Sequence, residues 1–135
     1  MRRLTIAALL GLALILPTAV SAAKAPATGS IALITADPSY GDDIYFASTV
    51  VAKYPGYLEP RIVVRCYQSG DLVFGWLDRP EARFWLAGLD NGISQWDLNG
   101  GGPADCTATL YLYAVGLGKH NDVIPLDSTA FHAAG

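Results

Sequence analysis

The side chains of this sequence that could carry out chemistry are few and widely spaced. Cys66 and Cys106 are its two cysteines, and His120 and His132 are its two histidines. A thiol can serve as a nucleophile, a metal ligand or half of a disulfide, and an imidazole can serve as a base or a metal ligand. Neither histidine has the spacing of a zinc ligand, and His120 lies in a polar stretch typical of a solvated loop. The pattern therefore favours a disulfide between Cys66 and Cys106, with two buried free thiols as the alternative.

The carboxylates of the sequence form no recognisable catalytic motif. Glu59 and Glu81, its two glutamates, both lie beside proline in turn segments. Glycoside hydrolysis needs two carboxylates held at a fixed separation in a cleft, and the sequence also lacks the Gly-x-Ser-x-Gly motif of a serine nucleophile. We therefore predict no enzymatic activity, no catalytic residue and no cofactor.

Two segments with acidic residues and glycines bear on calcium binding. Residues 97–102 resemble the start of a calcium loop, but Gly101 and Ala108 stand where such a loop needs oxygen ligands. Asp42 and Asp43 could also offer oxygens, although aspartate is a common turn residue. We predict no metal site, with calcium at these turns as the open alternative.

Arginine, threonine and tyrosine side chains alternate with apolar ones in two β-patterned segments, 61–68 and 105–115. Because successive side chains of a strand point to opposite faces, these residues should share the face turned away from the core. Tyrosine and arginine are enriched at recognition hot spots, although tyrosine and threonine also favour strands. The predicted binding face consists of Arg61, Arg65, Tyr67, Thr107, Thr109, Tyr111 and Tyr113.

Two tryptophans are further candidates for contact with a ligand. Trp85 alternates with Phe84 and Leu86, which predicts an outward ring, and Trp96 lies in a long polar loop. Exposed aromatic rings mark interaction sites and can stack on sugars. Trp85 and Trp96 are therefore predicted aromatic contacts. For Trp96 the alternative is that it closes one end of the domain.

Short β-patterned runs separated by turn residues must position these side chains. Fourteen glycines and eight prolines punctuate the sequence, and no apolar stripe of helical period is long enough for a helix. The seven runs are 30–36, 43–51, 61–68, 72–77, 82–86, 105–115 and 123–133. Alternation within them predicts a core of Ile44, Phe46, Val50, Ile62, Val64, Cys66, Leu72, Phe74, Trp76, Phe84, Leu86, Cys106, Ala108, Leu110 and Leu112. The predicted fold class is an all-β, antiparallel β-sandwich with one disulfide.

The first residues have the three-part pattern of a secretory signal peptide. Arg2 and Arg3 provide a basic start, 4–16 is an apolar run, and small residues at 20–22 offer a cleavage site. The apolar run is shorter than the span of a bilayer. We therefore predict a signal peptide at 1–22 and a mature protein that is secreted or otherwise extracytoplasmic. An uncleaved anchor is the alternative.

Cleavage at this site would leave 113 residues, the size of about one domain. Residues 23–29 are small, polar and proline-containing and are predicted to be a flexible leader, which the domain at 30–135 follows. In this mature chain seven basic residues stand against twelve acidic ones, a net charge of about −5. Such a charge excludes a basic nucleic-acid-binding domain.

The seven runs, the order Cys66, Trp76, Cys106 and a last strand that ends in 129–135 together resemble a known architecture. The sequence is similar, over residues 30–135, to the immunoglobulin-like β-sandwich domains secreted by bacteria or carried by phage. It departs from the antibody type because Ala104 replaces the corner tyrosine and Cys66 lies on the third run. The strand count therefore places the two cysteines on neighbouring strands of one sheet.

A domain of this kind without a catalytic motif is predicted to act by recognition. The predicted function is that of an exported non-catalytic immunoglobulin-like module for protein–protein contact, in a surface, adhesion-like or virion-associated setting. The alternative is a glycan-binding module that uses exposed tryptophan and tyrosine side chains. The predicted partner is accordingly a protein or a cell-surface glycan, with no nucleic acid and no membrane span after signal cleavage.

Overall fold

The computed structural model describes residues 27–53, 56–87, 93–115 and 122–135. The predicted signal peptide at 1–22, the start of the predicted leader and His120 lie outside the described residues. The first strand begins at Ala27, so the last three residues of the predicted leader at 23–29 belong to the sheet. Within the described ranges, no helix has the length and apolar character that crossing a membrane requires.

Strands dominate the regular structure of the described residues. The elements are β1 (Ala27–Leu33), β2 (Asp43–Ile44), β3 (Phe46–Ala52), β4 (Tyr57–Gln68), β5 (Asp71–Asp78), β6 (Phe84–Trp85), α1 (Gln95–Leu98), β7 (Ala104–Val115) and β8 (Asp122–Ala133). All pairings between these strands are antiparallel. The predicted all-β class is therefore confirmed, and the predicted second run is divided into β2 and β3 at Tyr45.

The largest sheet contains four strands in the order β5-β4-β7-β8. Its two central strands, β4 and β7, pair over eleven consecutive residues of each, and Cys66 lies directly opposite Cys106. A disulfide joins these two cysteines. The predicted disulfide, and its position between neighbouring strands of one sheet, are therefore confirmed.

Two small sheets, β1–β3 and β2–β6, pack against one face of the four-stranded sheet. Ile31 and Phe46 from the first and Ile44 and Phe84 from the second join one buried apolar cluster with residues of β4, β5 and β7. The rings of Phe46 and Phe84 meet edge to face with their centroids 5.4 Å apart, a favourable geometry for aromatic pairs. We call this side of the four-stranded sheet its inner face.

Burial along β4 and β7 follows the predicted alternation. Because successive side chains alternate between faces, every second residue of each strand meets the small sheets. The residues of β4 and β7 that form the inner face are Ile62, Val64, Cys66, Cys106, Ala108, Leu110 and Leu112, each at most 2% exposed.

The prediction that Leu72 belongs to the core is wrong. The pairing of β4 with β5 changes register between Cys66, which lies opposite Phe74, and Tyr67, which lies opposite Leu72. Val73 is the extra residue of this β-bulge, and it is 3% exposed whereas Leu72 is 51% exposed. A bulge reverses the facing of the residues beyond it, so simple alternation assigned Leu72 to the wrong side.

A short helical turn, α1, stands where the sequence predicts only a loop. Ser94 caps it, because its hydroxyl oxygen accepts from the backbone N–H of Asp97 and the Asp97 carboxylate accepts from the Ser94 backbone N–H. Three consecutive glycines with positive φ, at 100–102, follow the helix. They turn the chain back so that the carbonyl of Gly102 accepts from the indole N–H of Trp96 at 2.8 Å.

Candidate functional site

The face of β4 and β7 opposite the inner face brings all seven residues of the predicted binding face onto adjoining strands. The cross-strand register places Arg61 opposite Tyr111 and Arg65 opposite Thr107. Val63 opposite Thr109 fills the position between these pairs. We call this surface the outer face, and it consists of Arg61, Val63, Arg65, Tyr67, Thr107, Thr109, Tyr111 and Tyr113.

Residues of the outer face differ in exposure and in their partners. Arg65, Tyr67 and Thr107 are exposed, whereas Arg61 and Tyr111 are half-buried. The guanidinium of Arg61 donates to Glu59 and lies 4.0 Å from a carboxylate oxygen of Asp78. Arg65 pairs with no carboxylate among the described residues, so its planar donors are available to a ligand.

A groove of about 470 Å³ opens on the outer face beside Arg65. Gly75 lies opposite Arg65 on β5, and a Cβ atom there would meet nothing within 4 Å, so the space next to the guanidinium is unfilled. The other walls are apolar and aromatic: Val63, Trp76, Leu77, Tyr111, Tyr113 and Val123. Such a groove can hold an apolar side chain while Arg65 binds a carboxylate next to it.

The prediction of Trp96 as a surface contact is wrong, because its side chain is 0% exposed. Its ring lies 5.3 Å from that of Tyr40 and 6.0 Å from that of Phe74, and its N–H is bound to Gly102. The polar composition of this segment predicts an exposed loop, but the Ser-x-x-Asp capping motif at 94–97 starts a helical turn there instead. The alternative for Trp96, that it closes one end of the domain, agrees with this burial.

Trp85 is 40% exposed and lies in the small β2–β6 sheet, opposite Asp43. Its indole N–H donates to the carbonyl oxygen of Gly41 at 3.0 Å. Asp43 is also 3.5 Å from the guanidinium of Arg83. Trp85 thus offers part of its ring to solvent, in a sheet separate from the outer face.

Asp97 is the first residue of the segment that resembles a calcium loop. Hydrogen-bond donors of the protein already bind its carboxylate. Its carboxylate accepts hydrogen bonds from the hydroxyl groups of Tyr40 and Ser94 and from the Ser94 backbone N–H. Burial alone would raise its pKa, but these hydrogen bonds outweigh burial and lower the pKa of Asp97. The bond to Asp97 in turn raises the pKa of Tyr40. In the part of the chain that the structure describes, no three His, Cys, Asp or Glu residues are grouped to hold a metal ion.

A second concave surface, which the sequence analysis did not identify, lies where β4 ends and β7 begins. It is a groove of about 890 Å³ whose walls are polar and apolar in about equal measure. We call it the polar groove, and the residues that matter in it are Tyr67, Gln68, Asp71, Gln95, Asn99, Asp105 and His132. They come from β4, β5, α1, the loop after it, β7 and β8, so no local motif marks them in the sequence.

Three side-chain amides run through the polar groove in a fixed order. The amide nitrogen of Gln95 donates to Asn99 at 3.0 Å, and that of Asn99 donates to Gln68 at 2.9 Å. The amide nitrogen of Gln68 donates to the backbone carbonyls of Gly101 and Pro103 at 3.0 and 3.2 Å. The imidazole of His132 lies 3.0 Å from a carboxylate oxygen of Asp105.

Comparison with known proteins gives no assignment for either surface. No protein-family model, no curated protein and no solved structure matches this chain.

Proposed function

We propose that this chain is an exported, non-catalytic module with an immunoglobulin-like fold that binds another protein through its outer face. The observation that carries the proposal is the unfilled groove beside Arg65, with apolar and aromatic walls and a guanidinium that pairs with no described carboxylate. Aromatic residues and arginine supply most binding energy at protein interfaces. The partner is a protein surface that presents an apolar side chain next to a carboxylate.

The immunoglobulin-like part of the proposal is supported by how the sheets pack. An antiparallel four-stranded sheet buries one face under two smaller sheets around a shared apolar cluster, as layered β domains do. The disulfide differs from the antibody type because it links neighbouring strands of one sheet. We therefore propose the sandwich architecture without its antibody-type disulfide.

The export part of the proposal is supported by the N-terminal pattern and by the disulfide, which is typical of oxidising compartments. Its test is N-terminal sequencing of the protein purified from the cell that produces it. The expected first residue is Ala23, after removal of 1–22. A protein that still begins with Met1 would contradict cleavage.

The non-catalytic part is supported by the side chains that the outer face offers. The outer face consists of arginine, threonine, valine and tyrosine side chains, and its eight residues include none of the His, Asp, Glu or Cys side chains that most often act as acids, bases or nucleophiles. Binding at this face would depend on shape and on the charge of Arg65.

The binding proposal is tested by photo-crosslinking in the producing cell. A benzophenone amino acid replaces Tyr113, which lines the groove, and in a matched protein it replaces Val51, which is 64% exposed on β3. We expect one protein adduct of defined mass from position 113 and not from position 51. Adding Arg65→Glu to the position-113 protein should abolish that adduct.

The captured protein is then purified and titrated to exclude accidental proximity. We expect Arg65→Glu to weaken binding at least tenfold, and replacement of the contacting carboxylate of the partner by lysine to restore binding to the Arg65→Glu variant. An adduct that forms equally from position 51, or one that persists with Arg65→Glu, would overturn the proposal.

The second candidate is a glycan-binding module, and a half-exposed tryptophan favours it. Since Trp96 is buried, this function would use Trp85 and Tyr67, which are 40% and 37% exposed. Indole fluorescence during titration with cell-surface glycans tests it. Quenching that disappears in Trp85→Ala would support stacking on Trp85, and unchanged traces would count against it.

A further inference from the structure

The side-chain amides of the polar groove have N–H groups and oxygens that bind no described protein atom, and their arrangement is fixed by the backbone. The carbonyls of Gly101 and Pro103 can only accept, so they fix the Gln68 amide with its nitrogen toward them and its oxygen toward Asn99. That oxygen in turn requires the nitrogen of Asn99, which leaves the Asn99 oxygen to Gln95. The direction of the whole chain of amides therefore follows from two backbone groups.

This fixed direction determines what a ligand can find there. Each amide carries two N–H donors and one oxygen with two lone pairs. Both N–H groups of Gln68 are used, whereas one N–H of Asn99 and one of Gln95 have no partner among the described residues. The oxygens of Gln68 and Asn99 each accept one bond and retain one lone pair. Free donors and free acceptors thus alternate along the groove on side chains that already hold one another in place.

The charge of the groove excludes several ligand classes. Among the described residues, its lining contains the carboxylates of Asp71 and Asp105 and no lysine or arginine. Asp105 faces the imidazole of His132 at 3.0 Å, and Asp71 makes no ion pair among the described residues. These carboxylates repel a phosphate, a sulfated glycan or a nucleic acid, and no lysine or arginine of the described lining offsets that repulsion. An apolar ligand would bury the free amide groups without hydrogen-bond partners, which costs free energy.

Neutral saccharides satisfy all of these conditions. A sugar hydroxyl donates one hydrogen bond and accepts others, so neighbouring hydroxyls match alternating donors and acceptors, and a carboxylate such as that of Asp71 accepts from two of them. Tyr67, 37% exposed at one side of the groove, offers a ring on which the C–H face of a pyranose can pack. The amides that would bind are already hydrogen-bonded to one another, which reduces the conformational entropy lost on binding.

We propose that the polar groove is a binding site for a neutral, non-sulfated saccharide, held by Gln95, Asn99 and Asp71 and stacked on Tyr67. This site would serve the glycan-binding function without any contribution from Trp85. It does not depend on the protein-binding role of the outer face, which uses different residues apart from Tyr67.

The test screens the purified mature chain on an array of neutral and charged glycans and titrates the strongest neutral saccharide by calorimetry. We expect about tenfold weaker binding in Asn99→Ala and in Asp71→Asn, the loss of one or two hydrogen bonds each. Asp78→Asn, at the other end of β5, is the matched control for Asp71→Asn and should bind as wild type does. Affinity should also be the same at low and high salt.

Each other outcome overturns the inference. These outcomes are no binding to any neutral glycan, equal binding by Asn99→Ala and wild type, or loss of binding in Asp78→Asn as well. Binding of spermidine to the groove with a steep salt dependence and no saccharide binding would assign the site to cations instead. Arg65→Glu should leave saccharide affinity unchanged, and Asn99→Ala should leave the protein adduct at position 113 unchanged, so the two proposals fail independently.

Discussion

The inner and outer faces of the four-stranded sheet are made by the same strands and have opposite properties. Cys66 and Cys106 are almost fully buried and bonded to each other, whereas Arg65 and Thr107, one residue away on each strand, are exposed. The inner face is fixed by the sheets that pack on it, and every side chain there has neighbours. The outer face offers functional groups instead. One alternating sequence thus encodes a rigid core and a separate surface that can vary at little cost in stability.

The largest effect that would test this contrast comes from the two tryptophans. Trp96→Ala should lower the free energy of unfolding by about 4 to 5 kcal/mol, because it empties a buried site and removes the bond to Gly102. Trp85→Ala, at a half-exposed ring, should cost less than about 1.5 kcal/mol. Guanidinium unfolding followed by circular dichroism measures both. Equal losses would contradict the assignment of Trp96 to the core.

Removing the disulfide should have the next largest effect. The double variant Cys66→Ala/Cys106→Ala opens a loop with a sequence separation of 40 and should lose about 3 to 4 kcal/mol. Its matched control is Arg65→Ala/Thr107→Ala, because these residues form the next cross-strand pair on the opposite face. The control should lose less than about 1 kcal/mol. Thiol titration of the unfolded, unreduced wild type should find no free thiol, and two free thiols would overturn the bond.

The inner face was largely predictable because it depends on a period of two that the sequence displays directly. Ile62, Val64 and Cys66 alternate on β4 and all lie in the core. Alternation cannot reveal a β-bulge, since an extra residue leaves no mark in composition, and for this reason it assigns Leu72 to the wrong face. A Ser-x-x-Asp capping motif at 94–97 does mark the start of α1, whereas the burial of Trp96 depends on how this turn packs against Tyr40 and Phe74.

The two candidate sites differ in how far the sequence indicates them. The outer face was predictable as a set of residues because it lies on two paired strands. Its groove was not, since the empty space beside Arg65 depends on Gly75 of the neighbouring strand β5. The polar groove was not predictable at all, because residues such as Gln68, Asn99 and His132 meet only when the sheet topology brings separate segments together.

The bulge on β5 gives a test in which inner and outer residues are adjacent in sequence. Val73→Ala should cost about 2 kcal/mol, because it removes two buried methyl groups from a side chain that is 3% exposed. Leu72→Ala, at a side chain that is 51% exposed, should cost less than about 1 kcal/mol although it removes more atoms. Urea unfolding curves decide the order. A larger loss of unfolding free energy in Leu72→Ala than in Val73→Ala would contradict the bulge and indicate simple alternation along β5.

A smaller effect, and one that depends on pH, is expected from the hydrogen bond between Tyr40 and Asp97. Tyr40→Phe should cost about 1.5 kcal/mol near neutral pH, the value of a hydrogen bond to a charged group. Because the pKa of Asp97 is lowered in the folded protein, its contribution is present above a pH of about 4 and disappears as pH falls through the folded pKa.

The raised pKa of Tyr40 sets the other limit of this dependence. Its contribution is present below a pH of about 10 and disappears as pH rises through the folded pKa. Unfolding free energies of wild type and Tyr40→Phe at several pH values should therefore differ most between about pH 5 and 9 and converge as pH falls through the lowered pKa of Asp97. If the difference in unfolding free energy between the two proteins stayed constant from neutral to acidic pH, the coupling of Tyr40 to Asp97 would be contradicted.

The smallest effect on folding and the largest on binding are expected at the same residue, Arg65. Arg65→Glu should leave the free energy of unfolding within about 0.5 kcal/mol of wild type, because the side chain is exposed and pairs with no described carboxylate. The decisive measurement is the Kd of the protein captured from position 113, titrated against wild type and Arg65→Glu. Binding at least tenfold weaker in a variant of unchanged stability would support the outer face as the recognition surface. An equal Kd for the two proteins would contradict it.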